Sequence, residues 1–180
     1  CLFIPNAEVL SQNQDPQWKF TAWDYARSEL SQFLDDLVNE GWNLHFVSFC
    51  HNPKMSDVWA GDQIISLMQH RSTQRYQSPP QTFSELHSLF SQYNRIISQR
   101  YHGLVLSEIT QRPCLNLFHH DKLQYIHPFS GISQSFFGLN KASLHQAFKK
   151  MEEVTFSPAQ SSPFAELLYS VKKGLDKEDE

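Results

Sequence analysis

The chain has 180 residues, 40% of them apolar and 13% aromatic, which is material for one packed core and too much for a disordered segment. Lys and Arg number 15 against 19 Asp and Glu, a net charge of −4. Most of that charge sits in the terminal run Asp176-Lys177-Glu178-Asp179-Glu180, so the nearly neutral body lacks the basic field of a sequence-independent nucleic-acid binder.

In chain order, the first clear element is a helix over 26–40, where Ala26, Leu30, Phe33, Leu34, Leu37 and Val38 recur at helical spacing and Gly41 follows as a stop. The segment 43–50 is short, β-branched and aromatic, and reads as a strand with at least one covered face. A second helix is expected from Asp57 to about Met68, with Asp62 as a first-turn acid, before Pro79-Pro80 breaks the chain. Thr82-Phe83-Ser84-Glu85 has the capping-box pattern and opens a third, amphipathic helix. Asn94 to Ser98 reads as a strand, Gly103 to Gln111 as a helix closed by Pro113, and Cys114 to Phe118 as another strand. Two further helices are expected, near 141–151 and 163–174, joined by a Ser/Pro linker at 157–163. Residues 1–156 thus form the domain, and 157–180 a linker, a last helix and an acidic tail.

Strands alternating with helices imply an α/β, Rossmann-like fold: a mainly parallel sheet with helices on both faces, because parallel neighbours need a crossover. The carboxyl ends of all strands then share one edge, where ligands bind. Three loops converge there: His51-Asn52-Pro53-Lys54, Gln99-Arg100-Tyr101-His102-Gly103 and His119-His120-Asp121-Lys122.

Several chemistries lack their device. The six glycines form no dinucleotide or phosphate-loop pattern, there is no Cys-x-x-Cys, and no Gly-x-Ser-x-Gly elbow is present. Cys1, Cys50 and Cys114 are odd in number and far apart, as suits reduced thiols in the cytoplasm. No apolar run approaches the roughly 18 residues that span a bilayer.

Arg100-Tyr101-His102-Gly103 is the most informative tetrapeptide, since it hands a strand over to a helix. A guanidinium, an imidazole and free helix amides there make an anion site with a group able to exchange a proton. The competing reading pairs Arg100 with an acid such as Glu108 and leaves His102 as a helix cap; spacing alone does not choose. His119, His120 and Asp121 carry metal-ligating atoms, but adjacent extended residues point apart and Lys122 repels a cation. Lys122 is instead a second anion contact or a solvated lysine, and His51 and Lys54 are weaker loop candidates. Trp18, Trp23, Trp42 and Trp59 have the rings that stack on sugars, although in a chain of this size aromatics chiefly fill the interior.

Ser84-Glu85-Leu86, Ile96-Ile97-Ser98-Gln99-Arg100-Tyr101-His102, Arg112-Pro113 and Asp121-Lys122 together resemble the polysaccharide pyruvyl transferase family. There an Arg-x-His follows a hydrophobic strand, a helix leads to a Gly-Pro-like turn, and a further strand ends in a segment carrying Lys. The resemblance runs from the helix at Ala26 through that at Lys141. It implies the C-terminal, Rossmann-like half of an enzyme similar to two-domain glycosyltransferases of the GT-B type.

The implied reaction moves the pyruvyl group of phosphoenolpyruvate onto a pair of glycan hydroxyls as a ketal, in the cytoplasm, with no cofactor and no metal. The implied partners are a glycan or glycolipid acceptor and an N-terminal domain of the same chain, for which Cys1 in place of Met is the expected sign; neither nucleic acid nor stable membrane insertion is implied. The resemblance makes His102 the general acid/base and Arg100 and Lys122 the anion anchors, with Tyr101, Gly103, His51, His119 and His120 around the substrate. The sequence departs from the family at Tyr101, where a small aliphatic residue is usual, at Gly103, usually Ala, and at Phe3-Ile4-Pro5-Asn6, which lacks an Arg. The alternative is a GT-B glycosyltransferase using a nucleotide-sugar donor, or a relative without activity. On the pyruvyl transferase reading, Arg100→Ala is expected to abolish phosphoenolpyruvate binding without unfolding the domain.

Overall fold

A computed structural model describes residues 1–6, 16–49, 56–71, 75–77, 80, 82–117, 132–133 and 139–156. The order of elements is β1 (Leu2–Ile4), α1 (Pro16–Asn39), β2 (His45–Val47), α2 (Asp57–Ile65), β3 (Arg75–Gln77), α3 (Phe83–Ser91), β4 (Ile96–Ser98), α4 (Tyr101–Ile109), β5 (Cys114–Asn116), β6 (Ile132–Ser133) and α5 (Lys141–Lys150), followed by a 3₁₀ turn at Met151–Glu153. The six strands form one sheet in the order β3-β2-β1-β4-β5-β6, and every pairing is parallel. This is the α/β, Rossmann-like arrangement that the alternation predicts.

Side-chain alternation along the short central strands divides the core into two layers, since successive strand residues face opposite ways. Phe3, Phe46, Ile97 and Leu115 pack with α1, α2 and α5, through Leu30, Phe33, Leu37, Ala60, Ile64, Leu144 and Phe148. Their immediate neighbours Leu2, Ile4, Val47, Ile96 and Cys114 pack on the other face with Phe90, Leu104 and Leu106 of α3 and α4. Strands β1 and β4, at the centre of the sheet, are buried on both sides.

Helix α1 begins ten residues before the expected Ala26, at Pro16, a residue whose fixed φ suits the first helical position. Its opening turns are rich in Trp, Phe, Thr and Tyr, which are middling helix formers, so the apolar periodicity becomes clean only further on. The chain leaves α1 through Gly41 at φ +93°, a left-handed conformation that glycine adopts without strain. The capping predicted at Thr82 is present, its Oγ1 accepting the Glu85 N–H at 3.2 Å. Strands β3 and β6 have no counterpart in the sequence reading; both lie at the edges of the sheet, where little apolar patterning is demanded. The expected helix over 163–174, and the whole of 157–180, lie outside the described residues. Among the described residues no helix is long and apolar enough to cross a membrane.

Candidate functional site

Strand order reverses between β1 and β4: β2 and β3 lie to one side, β5 and β6 to the other. In open parallel sheets this reversal leaves a crevice at the carboxyl edge, and it is where ligands settle. The residues that leave β1, β2 and β4 at this edge form one hydrogen-bonded assembly.

On leaving β4, Gln99 continues the ladder by donating its N–H to Ile4 O at 2.9 Å. Asn6, leaving β1, donates its N–H to Gln99 Oε1 at 3.1 Å and its Nδ2 to Gln99 O at 3.0 Å. Both side chains are buried, so this clasp fixes the two strand ends against each other at the reversal point. Gln99 Nε2 is buried with no hydrogen-bond partner among the described residues.

Arg100 occupies the cap position of α4 in an extended conformation. Its peptide is gripped by Ser98, whose hydroxyl donates to Arg100 O at 2.8 Å and accepts the Arg100 N–H at 3.0 Å. The guanidinium reaches across the end of β1 to Asp57 in the first turn of α2, with Nε 3.0 and 3.2 Å from the two carboxylate oxygens and Nη2 on Oδ1. Asp57 is fully buried, and its Oδ2 also accepts the Phe49 N–H at 3.0 Å, so the acid is held from both β2 and β4. It gains further from the positive end of α2, where Ser56 Oγ caps the Val58 N–H at 3.2 Å.

The pairing partner of Arg100 is thus Asp57 rather than Glu108. Two expectations change with it. Asp62 is an exposed residue of the second turn of α2, and the first-turn acid is Asp57. Removing Arg100 would take a charged partner from a buried carboxylate, so Arg100→Ala is expected to cost stability as well as binding.

His102 is exposed in the first turn of α4, and half-buried Tyr101 meets its ring edge-on at 5.9 Å. Gly103 is buried, and a Cβ there would be 2.5 Å from Ile4 Cδ1 and closer still to Ser98 Oγ. The departure from alanine therefore has a local cause: the missing side chain makes room for the hydroxyl that grips Arg100. His51, Lys54, His119, His120, Asp121 and Lys122 lie outside the described residues. A separate concavity of ≈ 210 Å³, lined by Gly41, Trp42, Asn43, Leu44 and His45 among others, sits where the chain enters β2, at the opposite edge of the sheet.

The family model for polysaccharide pyruvyl transferase matches residues 4–120, from the end of β1 past β5, which takes in the whole Asn6, Asp57, Gln99 and Arg100 assembly. The chain belongs to the polysaccharide pyruvyl transferase family. No curated protein and no solved structure matches it. Membership implies a transferase; the fold, with Arg100-Tyr101-His102 directly after β4, sets that segment of this pyruvyl transferase homologue at the carboxyl edge of its sheet. The segment is legible in the sequence from its strand-to-helix position and residue types, and the resemblance adds roles to it. Sequence reasoning missed Asn6, Asp57 and Ser98 as its supports, because their contacts come from chain separations of 93 and 43 residues and from a hydroxyl that folds back two residues. The one signal for Asp57 was its place at a helix start after a strand.

Proposed function

We propose that the chain is the donor-binding part of a cytoplasmic enzyme of surface-glycan or exopolysaccharide synthesis that forms pyruvate ketals from phosphoenolpyruvate. The family match over the carboxyl-edge assembly carries this reading. Phosphoenolpyruvate bears a carboxylate and a phosphate, and the site supports a cationic anchor at Arg100, with Lys122 beyond β5 as the second. The positive end of α4 adds to the attraction for an anion.

In this reading the exposed imidazole of His102 supplies the proton exchange. Protonation of the donor's methylene carbon makes C2 an oxocarbenium-like centre. One glycan hydroxyl adds there and gives up its proton, inorganic phosphate leaves with the C2–O electron pair and takes up a proton, and the second hydroxyl adds to the cation so formed and loses its proton to close the ketal. A second domain would face the edge and carry the acceptor.

Arg100 acts here as half of an ion pair. Asp57 fixes the guanidinium plane and lowers the net positive charge the donor meets, so selectivity rests on geometry and on the combined field of Arg100, Lys122 and α4. Calorimetric titration of the full chain with phosphoenolpyruvate and with uridine diphosphate glucose is the test. Binding of the first and not the second is expected, weakened at least tenfold in Arg100→Lys, which keeps a cation for Asp57 and loses the planar fork. Heat from the nucleotide sugar alone would transfer the chain to the glycosyltransferase reading.

A further inference from the structure

Of the tryptophans singled out in the sequence, Trp23 is 2% exposed and packs in the core, and Trp42 lies against Phe148. Trp59 keeps 45% of its surface exposed. It is not loose: its ring stacks on Trp23 with centroids 6.3 Å apart and planes at 14°. The ring thus rests on a buried partner while nearly half of the residue stays exposed. An aromatic plane fixed before any ligand arrives loses little conformational freedom when it is covered.

Its position follows from the pairing of the helices. Three contacts run in the same sense along α1 and α2: Trp23 with Trp59, Arg27 with Gln63, and Ser31 with Ile64. The helices are therefore parallel, both starting at the carboxyl edge, and of these contacts the tryptophan pair is nearest that edge. Trp59 is two residues past Asp57, about 3 Å further along the axis and some 200° around it. It faces α1 at the rim of the site, while Asp57 faces Arg100. One turn on, Arg27 donates to Gln63 Oε1 at 2.7 Å and pairs with exposed Asp24 at 2.8 Å. Amide, guanidinium and carboxylate groups thus lie within one turn of the tryptophan pair on the same two helices, and they are the set that exchanges hydrogen bonds with vicinal hydroxyls.

We infer that Trp59 is a stacking platform for a pyranose ring of the acceptor glycan, a sugar unit next to the one that is modified, with Gln63, Arg27 and Asp24 meeting its hydroxyls. This rests on the glycan-acceptor reading above. The chemistry selects a carbohydrate because the axial C–H bonds of a pyranose present a weakly positive face to the negative face of the ring. The equatorial hydroxyls point outward, toward these polar groups. A polymeric acceptor extends past the reacting unit, so a binding plane beside the donor site is where its next residue lies.

Saturation-transfer NMR on the full chain tests this, with methyl pyranosides of galactose, glucose, mannose and N-acetylglucosamine and their β-linked disaccharides as probes. Saturation of indole protons should reach the C–H face of at least one probe, the disaccharide binding more tightly than its monosaccharide. Trp59→Ala should weaken that binding about fivefold to tenfold, the size of effect one aromatic contact supplies, and Trp59→Phe should keep most of it. Thermal melts of both variants check the fold, and phosphoenolpyruvate titration should be unchanged in both. Equal saturation in wild type and Trp59→Ala, or no probe bound by a chain that does bind phosphoenolpyruvate, overturns the platform and leaves the donor reading standing. Trp59-dependent glycoside binding by a chain that ignores phosphoenolpyruvate does the reverse.

Discussion

At the scale of single residues, Arg100 and Asp57 form a buried ion pair that makes a conspicuous motif residue part of the structure. Asp57 is fully buried and the Arg100 side chain is 14% exposed, so each offsets part of the cost of desolvating the other. Removing one side of such a pair leaves an unbalanced charge in a poorly solvated place, which costs about 3–5 kcal/mol. Arg100→Ala should therefore lower the unfolding free energy by an amount of that order and bring the urea midpoint down with it, and Arg100→Lys by much less, in equilibrium unfolding. Equal midpoints for Arg100→Ala and wild type would show that Asp57 is not held as described. The sequence made Arg100 conspicuous through its motif, but no local pattern marks Asp57 as its partner, because a pair that the fold brings together across 43 positions has no period in the chain.

At the scale of elements, α4 lies against β1 and β4 as closely as Gly103 permits. In a free helix, alanine would be preferred over glycine by about 1 kcal/mol. Here its Cβ would collide with Ile4 Cδ1 and Ser98 Oγ, and overpacking of this kind costs about 1–3 kcal/mol. Gly103→Ala should thus destabilise the chain despite the better helix former, and thermal denaturation gives the sign directly. On the other side of the sheet, α5 docks on α1 through Asp36, whose Oδ2 is 2.9 Å from Lys141 Nζ and 3.0 Å from His145 Nε2. Hydrogen bonds from His145 and then Lys141 hold the Asp36 carboxyl below its ordinary value of 3.8. A carboxyl depressed in the folded state contributes stability that is complete above its unfolded value and lost as pH falls through the folded one. Wild type should lose stability below about pH 4 relative to Asp36→Asn in paired urea melts at pH 7 and pH 3. The difference should be small and shrink with salt, since the pair is about one-third exposed.

At the scale of the whole molecule, the doubly covered parallel sheet was legible where burial forces a pattern. Ile96-Ile97-Ser98 and Cys114-Leu115-Asn116 read as strands because both of their faces meet helices, and Leu30, Phe33, Leu34 and Leu37 read as a helix because one stripe of it is buried. Arg75-Tyr76-Gln77 and Ile132-Ser133 did not, because an edge strand can be held by one neighbour's backbone and needs no apolar signature. The site was legible in the same uneven way. Its cation and imidazole stand together in the chain, while Asn6, Asp57 and Ser98 serve it through contacts that exist only once β1, β2 and β4 lie side by side.

The bridge from α2 to the cap of α4 also has a consequence for descent. Two codons 43 positions apart are bound to a shared fate. A lineage in which either charge drifts first crosses an unstable intermediate, whereas paired replacement by neutral, well-packed residues is nearly free of that penalty. The route that discards the Arg100 cation is therefore a joint one, and homologues without the arginine should have lost the aspartate as well.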